Sequence, residues 1–280
     1  MRFTTYLHQG RPRLAVVDGD VAVDIAADLR AELEAGRDPM AAGRAALASN
    51  APRLPLASLS FAPLVPEPGK TICLGLNYFD HAKEGGREKP DYPWFFYRGK
   101  SSLIGHGQPG VLPKVSSRFD YEAELAVVIG RRVPRHVSQA DALQYVFGYT
   151  CFNDMSVRDY QKRTPQWTIG KNFDATGGFG PVLVTADELA PGATGLRLQS
   201  RLNGQVMQDA NTGDMIFSVA ETIALLSECM TLEPGDALIM GTPAGVGQAR
   251  TPPVWMKAGD TIEIEIERIG VLSNPIEAEA

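Results

Sequence analysis

The sequence predicts a mostly β protein with additional helices, an α+β fold with a small N-terminal domain before a larger main body. Turn signals such as Asn203-Gly204 separate short apolar segments that have the composition of strands. These strand-like segments are residues 71–76, 120–129, 145–152, 196–202, 237–240 and 261–266. Good helical spacing of apolar residues occurs in one longer segment of the body, residues 216–230. Strands should therefore outnumber helices.

The composition is that of an ordinary globular protein. The chain has 280 residues, of which 44% are hydrophobic and 21% are charged, enough to bury a large core. The net charge of −6 and the pI near 5.3 argue against a surface for nucleic acid or an anionic membrane. Because the first residues lack a long apolar stretch and no 18-residue apolar run occurs, we expect neither a signal peptide nor a transmembrane helix.

Residues 1–62 are expected to form the small domain. Two apolar segments flank Asp18-Gly19 and predict a hairpin over residues 13–25, and alanine-rich segments at 26–35 and 39–48 predict helices. Prolines and a glycine then mark a linker. The predicted divisions are an N-terminal domain at 1–62, a linker at 63–70 and the main body at 71–280.

The three cysteines are expected to be reduced and buried. Cys73, Cys151 and Cys229 lie in apolar contexts without CxxC spacing. Free thiols are typical of a reducing compartment, so we expect a cytoplasmic protein.

Two carboxylates lead into a segment that is apolar on both faces. Glu122 and Glu124 are two positions apart, so on a strand they share a face. The residues that follow predict a strand covered on both sides, where a bare carboxylate is costly unless it is paired or bound to a metal. A third acid, Asp154, ends the second apolar run, at 145–152. Three hard oxygen ligands suit Mg2+ or Mn2+.

A solvated strand face is the alternative interpretation of this acidic pair. Glu263, Glu265 and Glu267 have the same spacing but alternate strictly with isoleucine. That pattern is typical of a half-exposed strand, and we expect these three acids to be solvated. Spacing alone leaves the same alternative open for Glu122 and Glu124.

A histidine and a glutamate follow the first strand of the body. If the chain is helical there, His81 and Glu84 are at i and i+3, so the carboxylate can orient the imidazole as a general base that takes a proton from water. The glycines and charged residues at 85–89 suggest a lid. The alternative is a surface histidine in a helical salt bridge.

Three further side chains are candidate contacts for an anionic substrate. Lys171, bordered by Gly170, could face a developing oxyanion, although a lone lysine in a glycine-bordered loop is more often exposed. Arg98 is a possible anion contact, with solvated surface as the alternative. Thr242 lies in the glycine-rich loop 241–247, whose N–H groups could bind a carboxylate together with the Thr242 hydroxyl, although a plain turn is also consistent.

The motifs, taken together, resemble the fumarylacetoacetate hydrolase family over roughly residues 70–276. The matching segments occur in the family's order. They are Asn77-Tyr78 with His81-Ala82 and Glu84; Asp120-Tyr121-Glu122-Ala123-Glu124-Leu125; Asn153-Asp154 with Arg158-Asp159; Lys171 with Phe173-Asp174 and Gly180-Pro181; and the loop 241–247. The resemblance implies a mixed β-roll core, usually in a homodimer, with a Mg2+ or Mn2+ site.

The resemblance also implies roles for individual residues. Glu122, Glu124 and Asp154 fall on the family's metal-ligand positions, and His81 with Glu84 on its water-activating pair.

Three other positions are implied contacts of the substrate. Lys171 matches a lysine that contacts the substrate and its oxyanion, and Gln161 and Thr242 match polar contact positions. Where many members have Lys-Pro before the serines, this chain has Arg98-Gly99-Lys100-Ser101-Ser102.

The predicted reaction is hydrolysis of the C–C bond of a 3-acylpyruvate-type diketo acid, such as acylpyruvate, fumarylpyruvate or fumarylacetoacetate. His81, held by Glu84, would activate water, and Lys171 would stabilise the oxyanion. The products would be pyruvate or a related enolate and a carboxylic acid, in the catabolism of aromatic compounds. Decarboxylation of oxaloacetate, or isomerisation or hydration of a 2-oxo-enoate, is the alternative at the same site. Arg98 favours a substrate with a second carboxylate.

Overall fold

The computed structural model describes residues 1–86 and 88–280, and the sequence forms more strand than helix there. The strands of the first half are β1 Arg2–His8, β2 Arg11–Asp18, β3 Val21–Ala27, β4 Arg53–Pro55, β5 Thr71–Gly75, β6 Trp94–Tyr97, β7 Leu103–Ile104, β8 Gly110–Leu112, β9 Phe119–Asp120 and β10 Ala123–Ile129. Those of the second half are β11 Val146–Asp154, β12 Ser156–Val157, β13 Gly177–Thr185, β14 Arg197–Leu202, β15 Gln205–Asn211, β16 Ala237–Ile239, β17 Thr261–Ile266 and β18 Gly270–Ala278.

The helices are short and lie between the strands. They are α1 Leu29–Glu34, α2 Pro39–Ala48, α3 Phe79–Glu84, α4 Gln139–Ala142, α5 Arg158–Gln161, α6 Thr168–Lys171 and α7 Val219–Cys229. Helix α7 is capped by Ser218, whose hydroxyl accepts from the Glu221 N–H. Among the apolar residues whose spacing predicted this helix, Ile223 and Leu226 are buried. None of the helices among the described residues has the length and apolar composition of a membrane-spanning segment.

One large mixed sheet organises the molecule. It has 11 strands in the order β4-β3-β2-β1-β13-β11-β10-β16-β5-β6, with β7 also paired to β13. A five-stranded sheet, β15-β14-β17-β18-β8, packs against it, and β9 pairs with β12. The apolar side chains between the two large sheets form the main core, which includes Leu125, Val127, Ile262 and Ile264.

The N-terminal strands extend the large sheet. Strand β1 pairs antiparallel with β13, which places Phe3 opposite Leu183, and both side chains lie in one core cluster. The predicted hairpin is present, with Asp18 opposite Val21. The predicted boundary at residue 62 therefore marks no break in the sheet, and the division into domains stays a prediction.

The strand that was predicted over residues 120–129 is interrupted. Residues 121–122 lie outside the strands, between β9 and β10. Strand β10 itself is buried at every position, which confirms the covered strand. By contrast, Glu263 and Glu265 are half-exposed, and both form ion pairs with Arg201. The two acidic pairs thus have the different environments that their flanking residues predicted.

Two of the three free cysteines match the prediction. Cys73 and Cys151 are buried, but Cys229 is exposed. It is the last residue of α7, next to the exposed Glu228 at the C-terminal end of the helix.

Candidate active site

A pocket of about 360 Å3 brings together most of the predicted site residues. Of these residues, the ones that line it are His81, Glu84, Glu122, Glu124, Gln161, Lys171 and Thr242. Apolar side chains, among them Phe96 and Trp167, form the rest of the wall. Asp154 lies directly behind the pocket wall, where its carboxylate accepts a hydrogen bond from Lys171. Arg98 does not line the pocket.

Three buried carboxylates form a possible metal site. The ligand atoms of Glu122, Glu124 and Asp154 all lie within 4.8 Å of one another, and the three residues are at most 5% exposed. The end of β11 and the start of β10 bring them together, where the Asp154 N–H donates to the Glu122 carbonyl at 3.0 Å. An all-oxygen donor set of this kind suits Mg2+ or Mn2+.

The environment of Glu124 explains why a cation fits here. Its carboxylate accepts the Gly241 N–H at 2.6 Å, and no cationic side chain of the described residues forms an ion pair with it. Burial, reinforced by the charges of Asp154 and Glu122, raises the pKa of Glu124 well above its ordinary value. A divalent cation would remove this unfavourable crowding of carboxylates.

Lys171 joins two of the three carboxylates. Its ammonium donates to Glu122 Oε2 at 2.7 Å and to Asp154 Oδ2 at 2.6 Å, and the residue is 1% exposed, so the exposed alternative is wrong. Burial alone would lower the pKa of Lys171, but Asp154 and Glu122 outweigh it and raise the pKa. The lysine therefore supplies a permanent positive charge at the floor of the pocket.

Arg98 supports Asp154 from behind the pocket. Its Nη1 donates to Asp154 Oδ1, its Nε to Ser102 at 3.3 Å and its Nη2 to Thr176 at 2.8 Å. All three nitrogens thus have acceptors within the protein. This corrects the predictions that Arg98 is solvated or contacts a second substrate carboxylate, because the guanidinium is buried and already paired.

His81 and Glu84 form the predicted pair on helix α3. His81 Nδ1 lies 3.2 Å from Glu84 Oε2, and both side chains line the pocket, which distinguishes them from an ordinary surface salt bridge. The other oxygen of Glu84 accepts the Gly245 N–H at 2.9 Å, so the helix is tied to the glycine-rich loop. Of the predicted lid at 85–89, Gly85 lines the pocket and residue 87 lies outside the described residues.

The glycine-rich loop binds carboxylates, but these belong to the protein. The N–H groups of Gly241, Gly245 and Gly247 donate to Glu124, Glu84 and Asp120 respectively. The Thr242 hydroxyl donates to the Ala123 carbonyl at 3.0 Å and accepts from Gln208 at 2.7 Å. The loop therefore positions the acids of the site and is not a plain turn.

Arg158 and Asp120 are site residues to which the sequence reasoning assigned no role. Arg158 donates to Asp120 Oδ2 at 2.8 Å, to Glu122 Oε1 at 2.5 Å and to Gln161 Oε1 at 3.0 Å. Burial opposes ionisation of Glu122, but Lys171 and Arg158 outweigh it and hold its pKa below the ordinary value. Both residues occur in the family motifs quoted above, and this was the one sequence feature that could have marked them as site residues. Their burial was not visible from spacing.

Comparison with known proteins identifies the family. The family described as "Fumarylacetoacetate (FAA) hydrolase C-terminal" matches residues 70–277. The chain belongs to the fumarylacetoacetate hydrolase family. This confirms the resemblance drawn from the motifs, and it places the pocket within the part of the chain that matches the family.

Relatives within the fumarylacetoacetate hydrolase family differ in their reactions. The human mitochondrial oxaloacetate tautomerase FAHD2A is 42% identical over 246 residues, which cover 87% of this chain and 78% of the relative. The structure of maleylpyruvate hydrolase from Sphingobium sp. SYK-6 with manganese(II) and pyruvate is 33% identical, with a TM-score of 0.83 and 100% of both chains covered. That of 2-hydroxyhepta-2,4-diene-1,7-dioate isomerase from Mycobacterium marinum is 32% identical, with a TM-score of 0.80, and covers 100% of this chain and 99% of the other. The full-length matches confirm the predicted α+β fold.

Proposed function

We propose that the protein is a Mg2+- or Mn2+-dependent enzyme that interconverts the keto and enol forms of oxaloacetate or a related 2-oxo acid. The observation that carries this proposal is that the His81–Glu84 pair lines one pocket with Glu122 and Glu124, which form a buried cluster of three carboxylates with Asp154. Proton transfer next to a 2-oxo group needs a base beside the carbon and positive charge beside the oxygen. The human relative named as an oxaloacetate tautomerase supports this choice of reaction.

Glu122, Glu124 and Asp154 would hold the divalent cation. Their crowded, buried oxygens fit it, as the raised pKa of Glu124 indicates. When bound, the cation supplies Lewis acidity that polarises a 2-oxo group.

The surrounding side chains transfer the proton, stabilise the negative charge and exclude water. His81 Nε2 takes the proton from C3 and delivers it to the 2-oxo oxygen to give the enol, and it reverses both transfers to give the keto form, because Nδ1 is held by Glu84. Lys171 and Arg158 keep two positive charges next to Glu122, beside the oxygens on which negative charge develops. Apolar walls from Phe96 and Trp167 limit the access of water to that charge.

Hydrolysis of an acylpyruvate, the reaction predicted from the sequence, is the second candidate. The same His81–Glu84 pair would deprotonate a water, and Lys171 would stabilise the oxyanion. The Sphingobium maleylpyruvate hydrolase, solved with manganese(II) and pyruvate, supports this alternative. The predicted homodimer and cytoplasmic location both stay predictions.

A substrate panel with Mg2+ or Mn2+ separates these reactions. Oxaloacetate, acetylpyruvate, fumarylpyruvate and fumarylacetoacetate are assayed for loss of enol absorbance, release of pyruvate and release of CO2. We expect rapid loss of the enol absorbance of oxaloacetate without CO2 or pyruvate. One pyruvate for each acylpyruvate consumed would instead establish the hydrolase, and CO2 from oxaloacetate would establish a decarboxylase.

Binding of the metal should be visible in the thermal stability of the protein. Because a ligand that binds only the native state stabilises it, Mg2+ or Mn2+ at 100 times its Kd should add about 2.7 kcal/mol and raise the melting temperature. Glu124→Gln should abolish this rise, and a chelator should reverse it in the unsubstituted protein.

The matched control for the metal experiment is Glu265→Gln. Glu265 also lies on a strand with acids two positions apart, but it is half-exposed and pairs with Arg201. The control should keep the full metal-dependent rise. A rise that survives Glu124→Gln would contradict the assigned ligands.

A further inference from the structure

A second cavity of about 300 Å3 adjoins the active-site pocket. It is lined by Arg118, Arg158, Lys162, Gln248, Pro253 and Trp255. Three of these residues, Arg158, Lys162 and Gln248, also line the active-site pocket, so the two spaces meet at a common wall. We call the second space the cationic cavity.

The cationic cavity gathers positive charge without an acid in its own wall. Three of its six lining residues are cations, and none of the described carboxylates lines it. In the described part of the chain, neither Arg118 nor Lys162 takes part in an ion pair. Partial removal from water lowers the pKa of Lys162, and Arg158 and Arg118 lower it further against an opposing effect of Asp120. Binding of an anion would reduce the electrostatic repulsion between these like charges.

The common wall contains two polar atoms that lack partners. Arg158 is 2% exposed, and its Nη2 is buried without a hydrogen bond to any described residue. The side-chain oxygen of Gln248 is also buried without a hydrogen bond to any described residue. Buried polar atoms are normally paired, and an amide can present either its oxygen or its NH2 group to a ligand. Both residues are therefore placed to bind something that enters between the two cavities.

The common wall lies next to the candidate metal site. Arg158 donates to Glu122 at 2.5 Å, so the cationic cavity begins next to the carboxylates that would hold the metal. A molecule whose 2-oxo end lies at those carboxylates would extend past Arg158 toward Lys162 and Arg118. Guanidinium groups match the planar geometry of a carboxylate, and Trp255 with Pro253 offers apolar surface for an intervening carbon chain.

We propose that the cationic cavity binds the second carboxylate of a 2-oxo dicarboxylic acid, with Lys162 and Arg118 as the residues that determine specificity. The proposal rests on the proposed function, which places the 2-oxo end at Glu122, Glu124 and Asp154. It assigns to Arg118 and Lys162 the contact with a second carboxylate that the sequence had suggested for Arg98. It also predicts that longer 2-oxo dicarboxylates fit the site.

Calorimetry with a matched pair of ligands tests this subsite. 2-Oxoadipate and 2-oxohexanoate have the same carbon count and differ in the distal carboxylate. In Mg2+, the unsubstituted protein should bind 2-oxoadipate at least about tenfold more tightly, the effect of roughly one charge-assisted hydrogen bond. The double variant Arg118→Gln/Lys162→Gln should lose this preference and keep its affinity for 2-oxohexanoate. Both side chains are exposed, so the fold should tolerate these changes.

The control is the double variant Arg11→Gln/Lys114→Gln, which removes the same charge from exposed positions outside both cavities. It should keep the preference for 2-oxoadipate. Equal affinity of the unsubstituted protein for the two acids, or a preference that survives in the Arg118 and Lys162 variant, overturns the subsite and leaves the proposed function standing. Failure to bind either acid overturns the subsite too, and the substrate panel then decides the proposed function separately.

Discussion

Replacement of His81 by alanine is expected to lower turnover by about 100-fold to 10,000-fold, the usual contribution of a positioned general base. The imidazole is held by Glu84 at 3.2 Å and lines the same pocket as Glu122 and Glu124. No other histidine of the described residues lines that pocket. The measurement is kcat on the substrate that the panel identifies, together with the metal-dependent rise in melting temperature, which should be unchanged because His81 is not among the carboxylate ligands.

The control for His81→Ala is His8→Ala, because His8 is exposed near the end of β1 and lies outside the pocket. This variant should keep both turnover and the metal response. Full turnover by His81→Ala would remove the proton-transfer role from both candidate reactions. Loss of the metal response by the same variant would instead indicate that the substitution disturbs the carboxylate site.

Replacement of Asp120 by alanine is expected to lower the free energy of unfolding by roughly 3–5 kcal/mol, the cost of breaking a buried ion pair from one side. Asp120 is fully buried and accepts from Arg158 Nε at 2.8 Å and from the N–H groups of Gly247 and Gln248 at 2.8 and 3.0 Å. Without it, two loop amides and part of a buried guanidinium lose their acceptor. Urea unfolding followed by circular dichroism measures the change.

Asp209→Ala provides the matched control for burial. Asp209 forms a two-point pair with Arg197, at 2.8 and 2.6 Å, but the two side chains are 44% and 60% exposed. Exposed pairs of this kind contribute about 0–1 kcal/mol, so this variant should be close to the unsubstituted protein in stability. Equal losses of unfolding free energy in the two variants would show that burial does not determine the cost of removing an ion-pair partner, and this would contradict the reason given for Asp120.

The periodicity of apolar and polar residues was enough to predict several features of the site. The apolar residues on both faces after Glu124 predicted a covered strand, and the isoleucines around Glu265 predicted a half-exposed one, because a strand alternates its faces at every residue. The spacing of His81 and Glu84 predicted their contact, because i and i+3 are neighbours on a helix. The resemblance to the family motifs then implied the metal-ligand role of the three carboxylates.

The tertiary structure decided which charges are buried together. Arg98 is buried against Asp154, 56 positions away, and Asp120 accepts from Gly247, 127 positions away. The N-terminal strands join the large sheet through β13, although composition had suggested a separate unit. Local sequence patterns and the family motifs were enough to predict the strand-rich fold, the candidate carboxylates and the His81–Glu84 pair. Only the tertiary structure assigned Arg98, Arg158 and Lys171 to their partners, because ion pairing between distant segments depends on strand pairing and loop packing that local spacing does not encode.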